Sequence, residues 1–211
     1  MSSRTIVHLL RHGEVDNPEG VLYGRLPGYH LSARGRQMAQ LAADHLLSRD
    51  ITVLVSSPLE RAQETAAPLV EQTGVALRLD DRLLEAANVF EGRPFTPDRL
   101  REPSVWPHLV NPLRPSWGEP YQQIAARMRA VVMAARDAAE GHEAVLVSHQ
   151  LPVEIVRRSI QGERLWHDPR RRRCNLASLT SVAFVGDQIE SVAYVEPACR
   201  LYAGASSVPG A

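Results

Sequence analysis

The sequence predicts an α/β fold, a three-layer α/β/α sandwich around a mostly parallel central sheet with an antiparallel C-terminal hairpin. Three observations carry this. Short apolar runs at 6–10, 51–55 and 144–147 alternate with longer segments whose apolar residues recur at helical spacing. Those runs are rich in Val, Ile and Leu with little polar alternation, as suits strands buried on both faces. Near the end, 176–185 and 188–195 flank Gly186-Asp187, a two-residue hairpin signal.

Ile6-Val7-His8-Leu9-Leu10 is the first strand and runs into Arg11-His12-Gly13-Glu14. Residues 17–28, rich in Gly and Pro, read as a loop. Ser32 is the expected N-cap of a helix whose apolar residues include Met38, Leu41, Ala42 and Leu46. After the strand at 51–55, Ser57 and Glu60 read as a capping box with Pro58 at the first helical position. The stripe Leu59, Ala62, Ala66, Leu69 and Val70 carries that helix to about Thr73, where Gly74 stops it. A further short strand fits at 75–79. Between 86 and 120 the pattern dissolves among prolines, and this stretch reads as an irregular cap packed by Trp106 and Trp117. A long helix from about Tyr121 to Glu140 is closed by Gly141, the strand at 144–147 ends at Ser148-His149, and 151–161 is helical. The chain reads as one domain over 1–203 with a flexible tail at 204–211.

Composition excludes several function classes. The 211 residues suffice for a core without staples. Lys+Arg and Asp+Glu are both 24, so the cationic face of a nucleic-acid binder is not expected. Every one of the cations is arginine. Without lysine there is neither a Schiff-base site nor a standard P-loop. The two cysteines, Cys174 and Cys199, form no CxxC pair and no disulfide framework. No apolar run approaches the roughly 20 residues that span a bilayer, so a cytoplasmic protein with no membrane association is expected. The remaining histidines lack the close spacing of a zinc site, no HExxH or GxSxG motif occurs, and no metal is expected. An apolar-rich helix or the C-terminal hairpin leaves a homodimer open.

In parallel sheets ligands bind beyond the carboxyl ends of the strands. His12 and His149 stand there, and Arg61 stands in the first turn of the following helix, where the dipole favours an anion. Arg11 and Arg61 offer forked donors for phosphate or carboxylate. One imidazole suits attack on phosphorus and the other suits donation to a non-bridging oxygen. Glu85, at the end of the next element, is the candidate acid for a leaving alkoxide.

These residues resemble the histidine phosphatase superfamily, also called phosphoglycerate-mutase-like. Arg11-His12-Gly13-Glu14 resembles its RHG signature. The spacing from Gly28 through Leu31, Ser32 and Gly35 to Ala39 resembles the segment that follows it. Ser56-Ser57-Pro58-Leu59 with Arg61-Ala62 and Thr65-Ala66 resembles the second motif. Leu84-Glu85 with Phe90-Glu91-Gly92 resembles the acid motif, and Val147-Ser148-His149 the last. The resemblance covers about residues 5–195 in the family's order. It implies metal-free chemistry with His12 as nucleophile, with Arg11, Arg61 and His149 holding the phosphoryl oxygens, and with Glu85 as acid and then base. It also implies that Asn17 contacts phosphate and that Tyr23 and Arg25 line the substrate entrance.

Two departures stand out. Gln150 follows His149 where the family usually has Gly, so its backbone N–H is kept for phosphate while its side chain enters or narrows the pocket. Glu85 is followed by Ala86-Ala87-Asn88, unlike the glycolytic mutases, and the chain resembles the shorter phosphatase branch. The expected function is therefore hydrolysis of a small phosphorylated metabolite without a cofactor, with phosphate as the product ion. A phosphoglycerate mutase, which needs 2,3-bisphosphoglycerate priming, and a non-catalytic phospho-ligand binder are the alternatives. The run Arg170–Arg173 reads as a solvated loop, with steering of anionic substrates as its functional reading.

Overall fold

The computed structural model describes residues 3–92 and 118–205. Of the expected cap at 86–120, residues 93–117, with Trp106 and Trp117, lie outside the described residues, as does the tail beyond 205. Six strands form one sheet: β1 (Arg4–Arg11), β2 (Ile51–Ser56), β3 (Leu77–Leu79), β4 (Glu143–Ser148), β5 (Leu179–Val185) and β6 (Gln188–Val195). Their order is β3-β2-β4-β1-β5-β6. The pairs β2–β3, β2–β4 and β1–β4 are parallel. β5 and β6 join antiparallel through Gly186, whose φ of 56° serves the tight turn.

Each strand between helices is buried on both sides, and residue parity decides which side. Val7 and Leu9 of β1, with Ala144 and Leu146 of β4, pack beneath α3 (Tyr121–Ala138) and α4 (Gln150–Ile160). Leu10, Val145 and Val147 face the other way, onto α1 (Ala33–Leu46) and α2 (Glu60–Thr73). Three layers result, as the pattern of apolar runs predicts.

The same topology makes the site. β1 and β4 are neighbours in the sheet, yet α1 follows β1 onto one face and α4 follows β4 onto the other. A crevice opens between chains that diverge in this way. Arg11 and Ser148 are register partners, and the His12 N–H donates to the Ser148 carbonyl at 3.1 Å. His12 and His149 therefore leave the sheet side by side. Ser57 joins them, since its N–H donates to the Val147 carbonyl at 2.9 Å.

Ser32 caps α1 as expected, accepting from the Gly35 N–H at 2.9 Å. Gly35 has a second function. A Cβ there would lie 1.9 Å from the Glu14 carbonyl oxygen, and one on Gly13 would lie 2.5 Å from that of Gly35. The loop after β1 thus rests directly on the first turn of α1. Gly35→Ala is expected to lower the unfolding free energy by about 1–3 kcal/mol, read as a lower urea midpoint at unchanged slope. An unshifted midpoint would show that the close approach is not needed.

The capping box at Ser57 and Glu60 is corrected. α2 begins at Glu60, its N-cap is Leu59, and no side chain caps it. Glu60 Oε1 instead accepts from the Gly28 N–H at 3.2 Å. The Ser57 hydroxyl is taken by His149, a partner more than ninety residues away that local spacing does not reveal. Gly74 ends the helix as expected, at φ 70°.

Candidate active site

His12 is fully buried and its tautomer is set by the chain itself. Nδ1 lies 2.8 Å from the Gly13 carbonyl oxygen, which can only accept, so Nδ1 carries the proton. Nε2 is left with a lone pair and with no partner among the described residues. Burial holds the His12 pKa well below the usual histidine range, helped by Arg61 and then Arg11 and opposed by the Gly13 carbonyl. The ring is therefore neutral at physiological pH, the form that can attack an electrophile.

His149 faces it, the ring centroids 5.2 Å apart and the planes tilted by 58°. Its Nε2 lies 2.8 Å from Ser57 Oγ. That hydroxyl already accepts from the Leu59 N–H at 3.4 Å, so its own proton is available for His149 Nε2. With the hydroxyl as the donor, the ring proton sits on Nδ1, which has no partner among the described residues and could then donate to a ligand. Burial, then Arg61, His12 and Arg11, keeps this histidine neutral as well.

Arg61 is fully buried in the first turn of α2. Nη2 donates to the Gly24 carbonyl, while Nε and Nη1 have no partner among the described residues. Its guanidinium sits 4.7 Å above the Tyr23 ring, which itself stacks on Tyr29. Arg11, also buried, spends Nη1 on the Cys174 carbonyl at 2.8 Å. Burial lowers the Arg61 pKa, yet arginine keeps its charge, and a buried cation with idle donors is destabilising until an anion arrives. Inorganic phosphate at about 100 times its Kd should stabilise the fold by about 2.7 kcal/mol. Arg61→Met should remove most of that upward shift in Tm while leaving the unliganded protein no less stable. An undiminished shift would move the phosphate site away from Arg61.

Glu85 is buried just past the single helical turn at Asp81–Leu83, whose last carbonyl accepts from Ser148 Oγ at 2.7 Å. Oε1 accepts from the Ala86 N–H at 2.7 Å, and Oε2 has no partner among the described residues. Burial raises its pKa, against the Ala86 N–H and the charges of Arg172, Arg61 and Arg11. Burial thus favours the protonated carboxyl, the form in which it can donate, while three guanidiniums oppose it.

The outer residues are each held by neighbours of their own. Asn17 uses both ends of its amide on Val21, donating at 2.9 Å and accepting at 3.0 Å, so it ties its own loop. Tyr23 is buried beneath Arg61. Arg25 donates to the Glu85 carbonyl at 2.6 Å and to Glu119 at 3.0 Å, fastening the loop to the backbone that carries the acid. Gln150 turns its amide sideways, with Oε1 accepting from Arg172 at 3.0 Å. Two residues escape the sequence reading. Ser57 is hidden by its fit to a capping box. Arg172 is hidden inside the Arg170–Arg173 run, where it alone is withdrawn from full exposure. Among the described residues no group of three or more His, Cys, Asp or Glu is arranged to hold a metal ion. No helix among them is long and apolar enough to cross a membrane.

Comparison with known proteins converges on one family. The model of the histidine phosphatase superfamily (branch 1) matches residues 7–197. An uncharacterized protein of Mycobacterium tuberculosis H37Rv is 54% identical over 200 residues, 94% of this chain and 99% of its own. A probable phosphoglycerate mutase of Escherichia coli is 31% identical over 183 residues, 84% of each chain. Among solved structures, the mycobacterial glucosyl-3-phosphoglycerate phosphatase superposes with a TM-score of 0.73 at 28% identity, covering 91% of this chain and 96% of that one. That phosphatase is also known in complex with inorganic phosphate and with VO3.

Proposed function

The chain belongs to the histidine phosphatase superfamily, and on that premise we propose that it hydrolyses a small phosphorylated metabolite, without a metal, through a phosphohistidine. The observation that carries this is the neutral, buried His12 with Nδ1 spent on Gly13 and Nε2 bare beside Arg61. Binding alone would not require a basic nitrogen held free in that way.

In the first step Nε2 of His12 forms a bond to phosphorus as the ester oxygen leaves, and Glu85 gives that oxygen its proton. Arg11, Arg61 and the Nδ1–H of His149 hold the non-bridging oxygens as charge shifts. In the second step the Glu85 carboxylate takes a proton from water, water attacks phosphorus, and the P–N bond breaks to release phosphate and neutral His12. The phosphate and VO3 complexes of the mycobacterial relative support a phosphate ion as ligand. Small phosphorylated metabolites fit a cytoplasmic setting.

Phosphate release from p-nitrophenyl phosphate with EDTA present tests the reading. Undiminished release supports it. Release that EDTA abolishes and added divalent metal restores would contradict it. The Escherichia coli relative favours a second reading, a mutase that needs 2,3-bisphosphoglycerate priming. Isomerisation of 3-phosphoglycerate with no net phosphate release would establish that reading instead.

A further inference from the structure

The acid hangs on a peptide unit that is gripped from outside. Glu85 Oε1 accepts from the Ala86 N–H at 2.7 Å, so the carboxyl turns with the peptide unit that joins residues 85 and 86. The other end of that unit is the Glu85 carbonyl, which accepts from Arg25 Nε at 2.6 Å. Rotating the unit would break the bond to Arg25 and carry the carboxyl away. On the other side of the acid, the Arg82 carbonyl accepts from Arg127 Nη1 at 2.6 Å. Two guanidiniums thus bracket Glu85, one from the loop after β1 and one from α3.

Glu119 joins them. Oε1 accepts from Arg127 Nε at 2.8 Å, and Oε2 accepts from Arg127 Nη2 and from Arg25 Nη2, each at 3.0 Å. The forked pair with Arg127 fixes that guanidinium in plane as well as in place. Both arginines reach the same oxygen, so without the carboxylate two cations would be left close together, and Arg25, the more exposed, would turn to water. Glu119 is itself seated on the segment that follows the acid. Its N–H donates to the Ala87 carbonyl at 3.0 Å, and Gly118 bridges Asn88. A Cβ on Gly118 would lie 2.4 Å from the Ala87 carbonyl oxygen, so this close approach requires glycine.

We propose that Glu119 is a positioning residue for the reaction: through Arg25 and Arg127 it fixes the peptide unit that aims the Glu85 carboxyl at the leaving oxygen. The inference rests on the reading of Glu85 as the acid. Glu119 touches no substrate in this role, and its effect is confined to the step in which the ester oxygen takes its proton. Misplacing a reacting group by about 1 Å costs about 10²-fold in rate, so a brace of this kind matters without making contact.

The test compares kcat/KM for propyl phosphate, whose leaving oxygen needs a proton, with that for p-nitrophenyl phosphate, whose leaving group departs without one. In Glu119→Gln the value for propyl phosphate should fall at least about tenfold further than that for p-nitrophenyl phosphate. Both esters are read on one sample, so a smaller folded fraction cancels from the comparison. Arg25→Gln, at a partly exposed position, should reproduce the selective loss and keeps the test open if Glu119→Gln does not fold. In the Glu85→Gln background neither substitution should widen the gap between the esters, because the group they position is already gone. Equal losses for the two esters in both single variants would overturn the inference, as would a further widening in that background. Glu85→Gln alone reports separately on the underlying reading. If it slows both esters alike, Glu85 is not the acid and the inference falls with it.

Discussion

His12→Ala is expected to lower phosphate release by about 10³-fold or more, because no other described side chain offers a bare imidazole nitrogen of the same kind. His149 is not a substitute. Its free nitrogen carries a proton when Ser57 donates to the other, so it can hold an oxygen but cannot attack. The substitution should not weaken the fold. His12 is neutral and buried with a lowered pKa, so between that value and the ordinary histidine value the unfolded chain binds more protons. Stability contributed by the neutral ring is complete above the unfolded value and is lost as pH falls toward the folded one. Removing the ring removes that penalty. The Tm of His12→Ala should therefore equal or exceed that of the wild type, with the larger gain at acid pH. A large loss of Tm at neutral pH would mean that lost activity reports unfolding instead of chemistry.

Glu85→Gln should produce the second large loss, about 10²–10⁴-fold for alkyl phosphomonoesters, whose leaving oxygen needs a proton. p-Nitrophenyl phosphate should lose much less in the first step, since its leaving group departs without help. The same residue sets the pH dependence. Its pKa is raised by burial, and the acid form that catalysis needs is lost as pH rises through that value. The neutral form of His12 is lost as pH falls through its lowered value. The expected kcat/KM profile is a bell on the acid side of neutrality, and in Glu85→Gln the high-pH limb should disappear. A profile that stays flat from about pH 5 to 8 in the wild type would remove Glu85 from the role of acid.

The parts of this protein that local physics specifies could be read from its sequence. β1, β2 and β4 are apolar on both faces because helices cover both faces, and that leaves a mark on every residue of the run. The chain order of strands and helices then puts His12, His149 and Arg61 at strand ends and a helix start. Contacts between distant segments leave no such mark. Ser57 satisfies the spacing of a capping box, yet its hydroxyl is drawn to His149 by the parallel register of β2 and β4. Arg172 is one of four consecutive arginines, and nothing local separates it from the solvated ones. It is held by Gln150 and His167, which approach from other segments.

The central claim is that a phosphoryl group passes through Nε2 of His12. Rapid quenching of the wild-type protein with phosphomonoester in EDTA, followed by peptide mapping under alkaline conditions, tests it directly. The predicted result is a phosphoryl group on His12, stable in alkali and lost in acid, that forms and decays fast enough to account for turnover. Turnover without phosphorylated His12, or with the phosphoryl group on another residue, would contradict it.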